Sequence, residues 1–245
     1  MKTSSKNRAA FRDDDQEGEI NSDFSIPVAI ETQAMEWLDS PMPNVHRKRL
    51  ELIGASMPRL TTVVRFAPDS YFKAHTHDGG EEFLVLDGVF SDAFGNFAKG
   101  SYVRNPPGTS HQPFTKEGCT ILVKLRQFQS GDKIQFSINT ANDRNWNKSS
   151  AVGVEHMPLH QFQSEQVGMY KFNNNSASLN LDIEALAEIY IFSGNLEINQ
   201  KNYSQGYWLR YPASTSLEIK SLGEAIIWIK TINNMHKLEL IEGSR

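Results

Sequence analysis

The sequence predicts an all-β protein folded as two successive copies of one unit, and two observations carry that reading. Short runs rich in Val, Ile and aromatic residues, at Leu60–Phe66, Phe83–Phe90, Ile121–Phe128, Ile189–Ile198 and Ala225–Ile232, are bounded by Gly, Pro, Asn and Asp. That is the pattern of strands joined by turns. A shift of 106 positions then places Gly88 on Gly194, Gly100 on Gly206, Arg104 on Arg210, Pro106 on Pro212 and Lys124 on Lys230 without a gap. Apolar positions follow the same shift, with Phe66 on Phe172, Tyr102 on Trp208 and Leu84–Leu86 on Tyr190–Phe192.

Along the chain, residues 1–25 are polar, basic at first and then acidic through Asp13, Asp14, Asp15, Glu17 and Glu19. They hold too few apolar side chains to build a core, so a disordered tail is expected. The first copy is expected over residues 34–130 and the second over 151–240. Between them, residues 140–150 show no hydrophobic period and read as an exposed polar connection. Units of roughly 100 residues are of ordinary domain size. No apolar run is long enough for a signal peptide or a membrane span, so no membrane partner is expected. The single cysteine, Cys119, excludes an internal disulfide and fits a reducing cytoplasm. A net charge of −4 gives no bulk attraction to nucleic acid.

The chemistry concentrates in the first copy. His75-x-His77-x3-Glu81 is followed thirty positions past Glu81 by His111, in Gly100-x5-Pro106-x-Gly108-x2-His111. Residues i and i+2 of a strand share a face, so His75 and His77 can grip one ion from one side. Asp78-Gly79-Gly80 reads as a turn that returns the chain as a second strand beside the first, bringing Glu81. The Pro106–Gly108 turn presents His111 from a more distant strand. A single histidine of this kind is more often a hydrogen-bonded core residue, but three with a carboxylate at these spacings describe a mononuclear metal site. Strand parity puts Phe83 and Val85 on the side of Glu81, lining the pocket, and Glu82 and Leu84 on the other. Tyr102 and Gln127 are further pocket-lining candidates, whereas Arg104, which recurs as Arg210, fits a structural salt bridge.

These two segments resemble the signature motifs of the cupin superfamily, small double-stranded β-helix barrels of the jelly-roll type. The intervening residues, Gly80–Asp92 and Tyr102–Gly108, are similar to the cupin of ChrR-type anti-sigma factors, and the likeness runs from about Trp37 to Phe128. One departure is Asp69, which stands where the first motif opens with glycine. A second is that no helical sigma-binding domain with its His/Cys zinc site is expected here, since about 35 residues precede Trp37 and Cys119 is the sole cysteine. The resemblance implies two tandem barrels, and a metal-dependent small-molecule binding or sensing function related to anti-sigma regulation. The alternative it carries is a mononuclear iron dioxygenase acting on a diketone or aromatic ketone. The partners implied are a small-molecule ligand or substrate, a regulatory protein and a second copy in a homodimer.

Under the 106-residue shift His75 falls on Leu181, His77 on Ile183, Glu81 on Ala187 and His111 on Leu217. The second barrel should therefore hold no metal, its apolar replacements filling the space of the lost ion. Glu82 meets Glu188 and persists without a metal, which leaves Glu81 as the ligand. The cofactor expected is one divalent transition metal, with zinc or iron foremost and manganese, nickel or copper compatible with imidazole and carboxylate donors.

Overall fold

The computed structural model of the chain describes residues 18–141, 144, 146–174 and 177–233, and every named element among them is a strand. All strand pairs are antiparallel, and the chain divides into two units: residues 1–22 with 34–143, and residues 23–33 with 144–245. The expected tail over 1–25 falls mostly outside the described residues. Its described end is bonded into structure, however, because Ile20 pairs by its backbone with Leu52.

The main sheet of the first unit runs in the order Phe136–Asn139, Ser101–Asn105, Glu81–Asp92, Cys119–Leu125, Arg59–Phe66, Val45–Ile53 and Leu38–Asp39. A smaller layer pairs Ser110–His111 with His75–Thr76. The second unit repeats the order with Val28–Glu31, Tyr207–Pro212, Leu186–Ser193, Ala225–Ile232, Glu165–Phe172, Val154–Phe162 and Asn147–Lys148, and its smaller sheet holds Ser178–Ile183, Thr215–Ser221, Asn195–Ile198 and Lys201–Ser204. The expected run Ile189–Ile198 is thus two strands, split at Gly194. The polar connection over 140–150 also carries a short strand, Asn147–Lys148.

Cross-strand registers reproduce the sequence repeat pair by pair. Glu82 faces Arg104 and Lys124 as Glu188 faces Arg210 and Lys230, and His111 faces His75 as Leu217 faces Leu181. Upstream the offset becomes 109, with Val45 matched by Val154, and a bulge follows Arg49 in one copy and Pro158 in the other. The two edges are closed differently. Ser101–Asn105 is flanked by the downstream strand Phe136–Asn139, whereas Tyr207–Pro212 is flanked by the upstream strand Val28–Glu31, and residues 23–33, of which 23–25 were expected in the tail, belong to the second unit.

Each unit packs one apolar interior. In the first, Val64, Phe66, Phe72, Phe83, Val85, Phe90 and Val123 are buried together, with Phe83 and Phe90 ring centroids 4.6 Å apart. Gly88 lies where this sheet bends, and a Cβ there would come within 2.1 Å of the Gly118 carbonyl oxygen. Gly194 makes the same approach to Glu224 and both have positive φ, so this pair of glycines in the repeat is a steric requirement. Cys119 lies in this core. Burial, partly opposed by a Thr115 hydrogen bond and reinforced by the Asp87 charge, pushes its thiol up to about 12. The folded protein is expected to stay unreactive toward a disulfide reagent at about pH 8 and to react once denatured. Prompt release of the reagent's thiolate in native buffer would contradict this packing.

Candidate metal centre

The structure brings His75, His77, Glu81 and His111 together: one donor atom from each lies within 4.8 Å of every other. His75 and His111 sit opposite one another on paired short strands. The Pro106–Gly108 turn is tied to His77, whose carbonyl accepts the Gly108 N–H at 2.8 Å and whose own N–H donates to Thr109 O at 2.9 Å. Asp69 takes φ +54°, the left-handed conformation that glycine supplies elsewhere and that Asp tolerates, so the motif turn survives the substitution. One expectation is corrected. His75–Thr76 and Glu81–Asp92 are not neighbours in a sheet, and Asp78–Gly80 carries the chain from the small layer to the main sheet instead of closing a hairpin. The crossing fits because Gly79 and Gly80 lie against Arg126 and Phe128, where a Cβ would meet side-chain atoms at 2.6 Å and 2.4 Å.

Each imidazole is anchored through Nδ1. That of His75 faces Lys73 O at 3.0 Å, that of His77 faces Thr109 Oγ1 at 3.0 Å, and that of His111 faces Asp92 Oδ2 at 3.0 Å. The Thr109 hydroxyl donates to Pro106 O at 2.7 Å, leaving its oxygen to accept from His77. These acceptors assign the Nδ1–H tautomer to all three rings. The Nε2 lone pairs then converge: His77 and His111 Nε2 are 3.2 Å apart, and Glu81 Oε2 is 3.3 Å and 3.5 Å from them. His75 Nε2 is buried with no hydrogen-bond partner. Facing lone pairs beside a carboxylate fit a bound cation. Asn105 Nδ2 donates to Glu81 Oε2 at 3.2 Å, and Gln135 Nε2 holds Asn105 Oδ1 at 3.3 Å.

Electrostatics follow the geometry. Burial would raise Glu81, but the charge and hydrogen bond of His77 with the charges of His111 and His75 win and hold its carboxyl far below the usual range. Burial lowers His75; for His77 burial also pulls downward, but the Glu81 charge and hydrogen bond together with Asp78 and Asp92 outweigh it and raise it. Beside the cluster, an opening of about 10 Å3 is lined by His75, His77, Gly80, Leu125 and Arg126. That is room for about one water.

Phe83 and Val85 face the barrel interior with Glu81, as parity requires. Tyr102 and Gln127 do not line this pocket. Tyr102 Oη donates to Glu82 Oε2 at 2.6 Å, and Gln127 Nε2 donates to Leu60 O at 2.8 Å and Thr61 Oγ1 at 3.0 Å, on the opposite face of the sheet. There Arg104 joins Glu82 at 2.7 Å to Asp132 at 2.6 Å, the structural bridge expected of it. Asp92, Thr109 and Asn105 were not singled out by the spacing, yet they orient three of the four donors. In the second unit Ile183, Ala187 and Leu217 are buried in the core, but Leu181 and Ile183 also border a cleft of about 440 Å3, so the lost metal site is not simply filled.

Taken together, the strands form an all-β fold of the cupin, or jelly-roll, type, with a His/His/Glu/His cluster in the first unit. Residues 26–129 match the family model of the ChrR cupin-like domain. Among solved structures, it is similar to a provisionally assigned dioxygenase from Nostoc punctiforme, with a TM-score of 0.71 and 14% identity over 88% of this chain and 85% of that one. It is also similar to a provisionally assigned glyoxylate-induced protein from Pseudomonas aeruginosa, with a TM-score of 0.69 and 14% identity over 97% and 100% of the two chains. An oxalate decarboxylase variant from Bacillus subtilis follows the fold with a TM-score of 0.58 and 9% identity, over 84% and 77%. No curated protein sequence matches the chain. Among the described residues, no helix is long and apolar enough to cross a membrane.

Proposed function

We propose that the first barrel holds one divalent transition-metal ion through His75, His77, Glu81 and His111, and that the protein is a cytoplasmic metal-dependent small-molecule binder or sensor of the ChrR-like kind. The observation that carries the reading is the orientation of the donors: three Nδ1–H groups are committed to oxygen acceptors while the Nε2 atoms and Glu81 Oε2 face one another. When bound, the metal would supply a Lewis acid with a position open to a small ligand. The chain's own groups fix the tautomers, exclude bulk water and, through an opening of about 10 Å3, favour ligands of water or dioxygen size. The Mn(II) centres of Bacillus subtilis oxalate decarboxylase support a metal in this fold without choosing its identity.

A second reading, an iron dioxygenase cleaving a diketone or aromatic ketone, draws on the likeness to the Nostoc protein. It requires the Arg126–Asp78 pair, 3.0 Å apart beside the opening, to move aside for a substrate. Elemental analysis of protein purified without nickel affinity, combined with oxygen uptake on a diketone panel, separates the two. Zinc without turnover supports the sensor and iron with turnover the enzyme. Less than about 0.1 metal per folded chain after exposure to each metal would reject both.

Proton competition gives a further expectation. The ion needs neutral imidazoles, and in the metal-free cluster the Glu81 carboxylate raises His77. Protons therefore begin to compete with the metal at a higher pH than at an ordinary histidine. Affinity should fall steadily as pH is lowered from about 8 to about 5, read by competition with a chromophoric chelator after correction for the chelator's own protonation. A flat profile would count against imidazole ligation.

A further inference from the structure

The cleft in the second unit has its own construction. Its floor is the inner face of three neighbouring strands, Val154–Phe162, Glu165–Phe172 and Ala225–Ile232, and its facing wall is the strand Ser178–Ile183. Register decides which side chains reach it. His156 pairs with Tyr170, Gly168 with Pro158 and Ile229, and Gln166 with Thr231. Leu181 and Ile183 close the other side, at the positions of His75 and His77 in the repeat.

Three features set this place apart from its counterpart. The His156 imidazole stacks on the Tyr170 ring, with centroids 4.5 Å apart and planes 26° from parallel, giving one continuous flat edge. Gly168 keeps the adjacent space clear, since a Cβ there would come within 2.7 Å of His156 Nε2 and 3.1 Å of Met157 O. In the first unit the register positions of His156, Tyr170, Pro158 and Gly168 carry Arg47, Val64, Arg49 and Thr62, all buried. The first unit thus places two arginines and a threonine where the second has His156, Pro158 and Gly168 at its cleft. The ring nitrogens of His156 and the Tyr170 hydroxyl have no protein hydrogen-bond partner among the described residues, and both side chains are half-buried.

Charge narrows the occupant. Among the described residues, no Lys or Arg lines the cleft, whereas Asp182 and Glu184 do. An anion would meet two carboxylates and, among the described residues, no Lys or Arg to offset them. Burial lowers His156 and raises Tyr170, so both present neutral rings near pH 7. A volume of about 440 Å3 lies in the range of small-molecule sites.

We propose that this cleft binds an uncharged aromatic small molecule, its ring lying between the His156–Tyr170 edge and the side chains of Leu181, Ile183 and Ile229. A hydrogen-bonding substituent on that ring meets the Gln166 amide or the Thr231 hydroxyl, which border one end of the floor. The site does not depend on the metal centre. The second barrel, having lost its metal ligands, keeps the jelly-roll mouth as a receptor for apolar rings.

The test is titration of the full chain with benzamide, phenol and indole by ligand-observed NMR and calorimetry, with benzoate as the anionic control. At least one neutral probe is expected to bind once per chain, with benzoate at least tenfold weaker than benzamide. Leu181→Trp, which fills the cleft, should abolish binding, and His156→Ala, which trims a half-buried ring, should weaken it at least fivefold. His77→Ala in the other unit should leave probe binding unchanged, separating this site from the proposed metal centre. The proposal is overturned if no neutral probe binds the folded wild-type chain, if benzoate binds as well as benzamide, or if His156→Ala and folded Leu181→Trp both bind as wild type does.

Discussion

Glu81→Gln is expected to lower metal affinity by at least about 100-fold, while Glu82→Gln leaves the metal content of the folded protein near wild type. Outer-shell partners of metal ligands are worth roughly 10–100-fold in affinity, and a ligand that supplies the anionic oxygen is worth at least as much. Glu81 Oε2 lies 3.3 Å and 3.5 Å from two convergent Nε2 atoms. Glu82, its neighbour in sequence, points to the other face and is committed to Arg104 and Tyr102. Asp92→Asn should fall between the two, at about 10–100-fold, because an amide can present its N–H₂ to His111 Nδ1 and reverse the tautomer that frees Nε2. Chelator competition measures all three. Equal metal loss from folded Glu81→Gln and Glu82→Gln would remove Glu81 from the proposed ligand set.

The four donors were legible because their types, their i and i+2 spacing and the Pro106–Gly108 turn all point to one place. Asp92 was not, and the reason is a phase change within its strand. Counting alternation from Glu81, an odd step of eleven residues sends Asp92 to the outer face. The strand, however, carries a bulge: Ile121 pairs with Val85 but Thr120 with Asp87, so Leu86 is an extra residue. Phe90 and Asp92 therefore face inward with Glu81, Phe83 and Val85. Tyr102 and Gln127 failed for a related reason, since polarity alone placed them at the site while register places them with Glu82 and Lys124.

The swap of edge strands was illegible in another way. Val28–Glu31 lies far from Tyr207–Pro212 in sequence and carries no pattern that names its partner. Only the assembled structure shows that it takes the place held in the first unit by Phe136–Asn139. The repeat itself contained a clue. The first copy continues past Lys124 through Phe128 and Asp132 into that closing strand. The second unit instead draws Phe24 and Asp23 to its corresponding arginine: the Phe128 ring lies 4.2 Å from the Arg104 guanidinium, and the Phe24 ring 4.6 Å from that of Arg210.

Those two arginines carry the largest expected effect on stability. Arg104 is fully buried, with Nη1 2.7 Å from Glu82 and Nη2 2.6 Å from Asp132, under the ring of Phe128. A leucine there would fill part of the volume but remove the guanidinium that Glu82 and Asp132 share, and breaking a buried ion pair from one side costs about 3–5 kcal/mol. Arg104→Leu should therefore lower the free energy of unfolding by about that amount, read from the shift in denaturant midpoint at unchanged slope. Arg210 is equally buried, stands across from Glu188 in the same register and donates to Asp23 O at 2.8 Å. A neutral carbonyl stands here where Arg104 has the Asp132 carboxylate, so Arg210→Leu should cost less than Arg104→Leu. Equal losses would show that the Asp132 contact adds nothing to the Glu82 pair. A loss below about 1 kcal/mol at Arg104 would mean that the two carboxylates take up protons or water instead of remaining as uncompensated charges in the sheet.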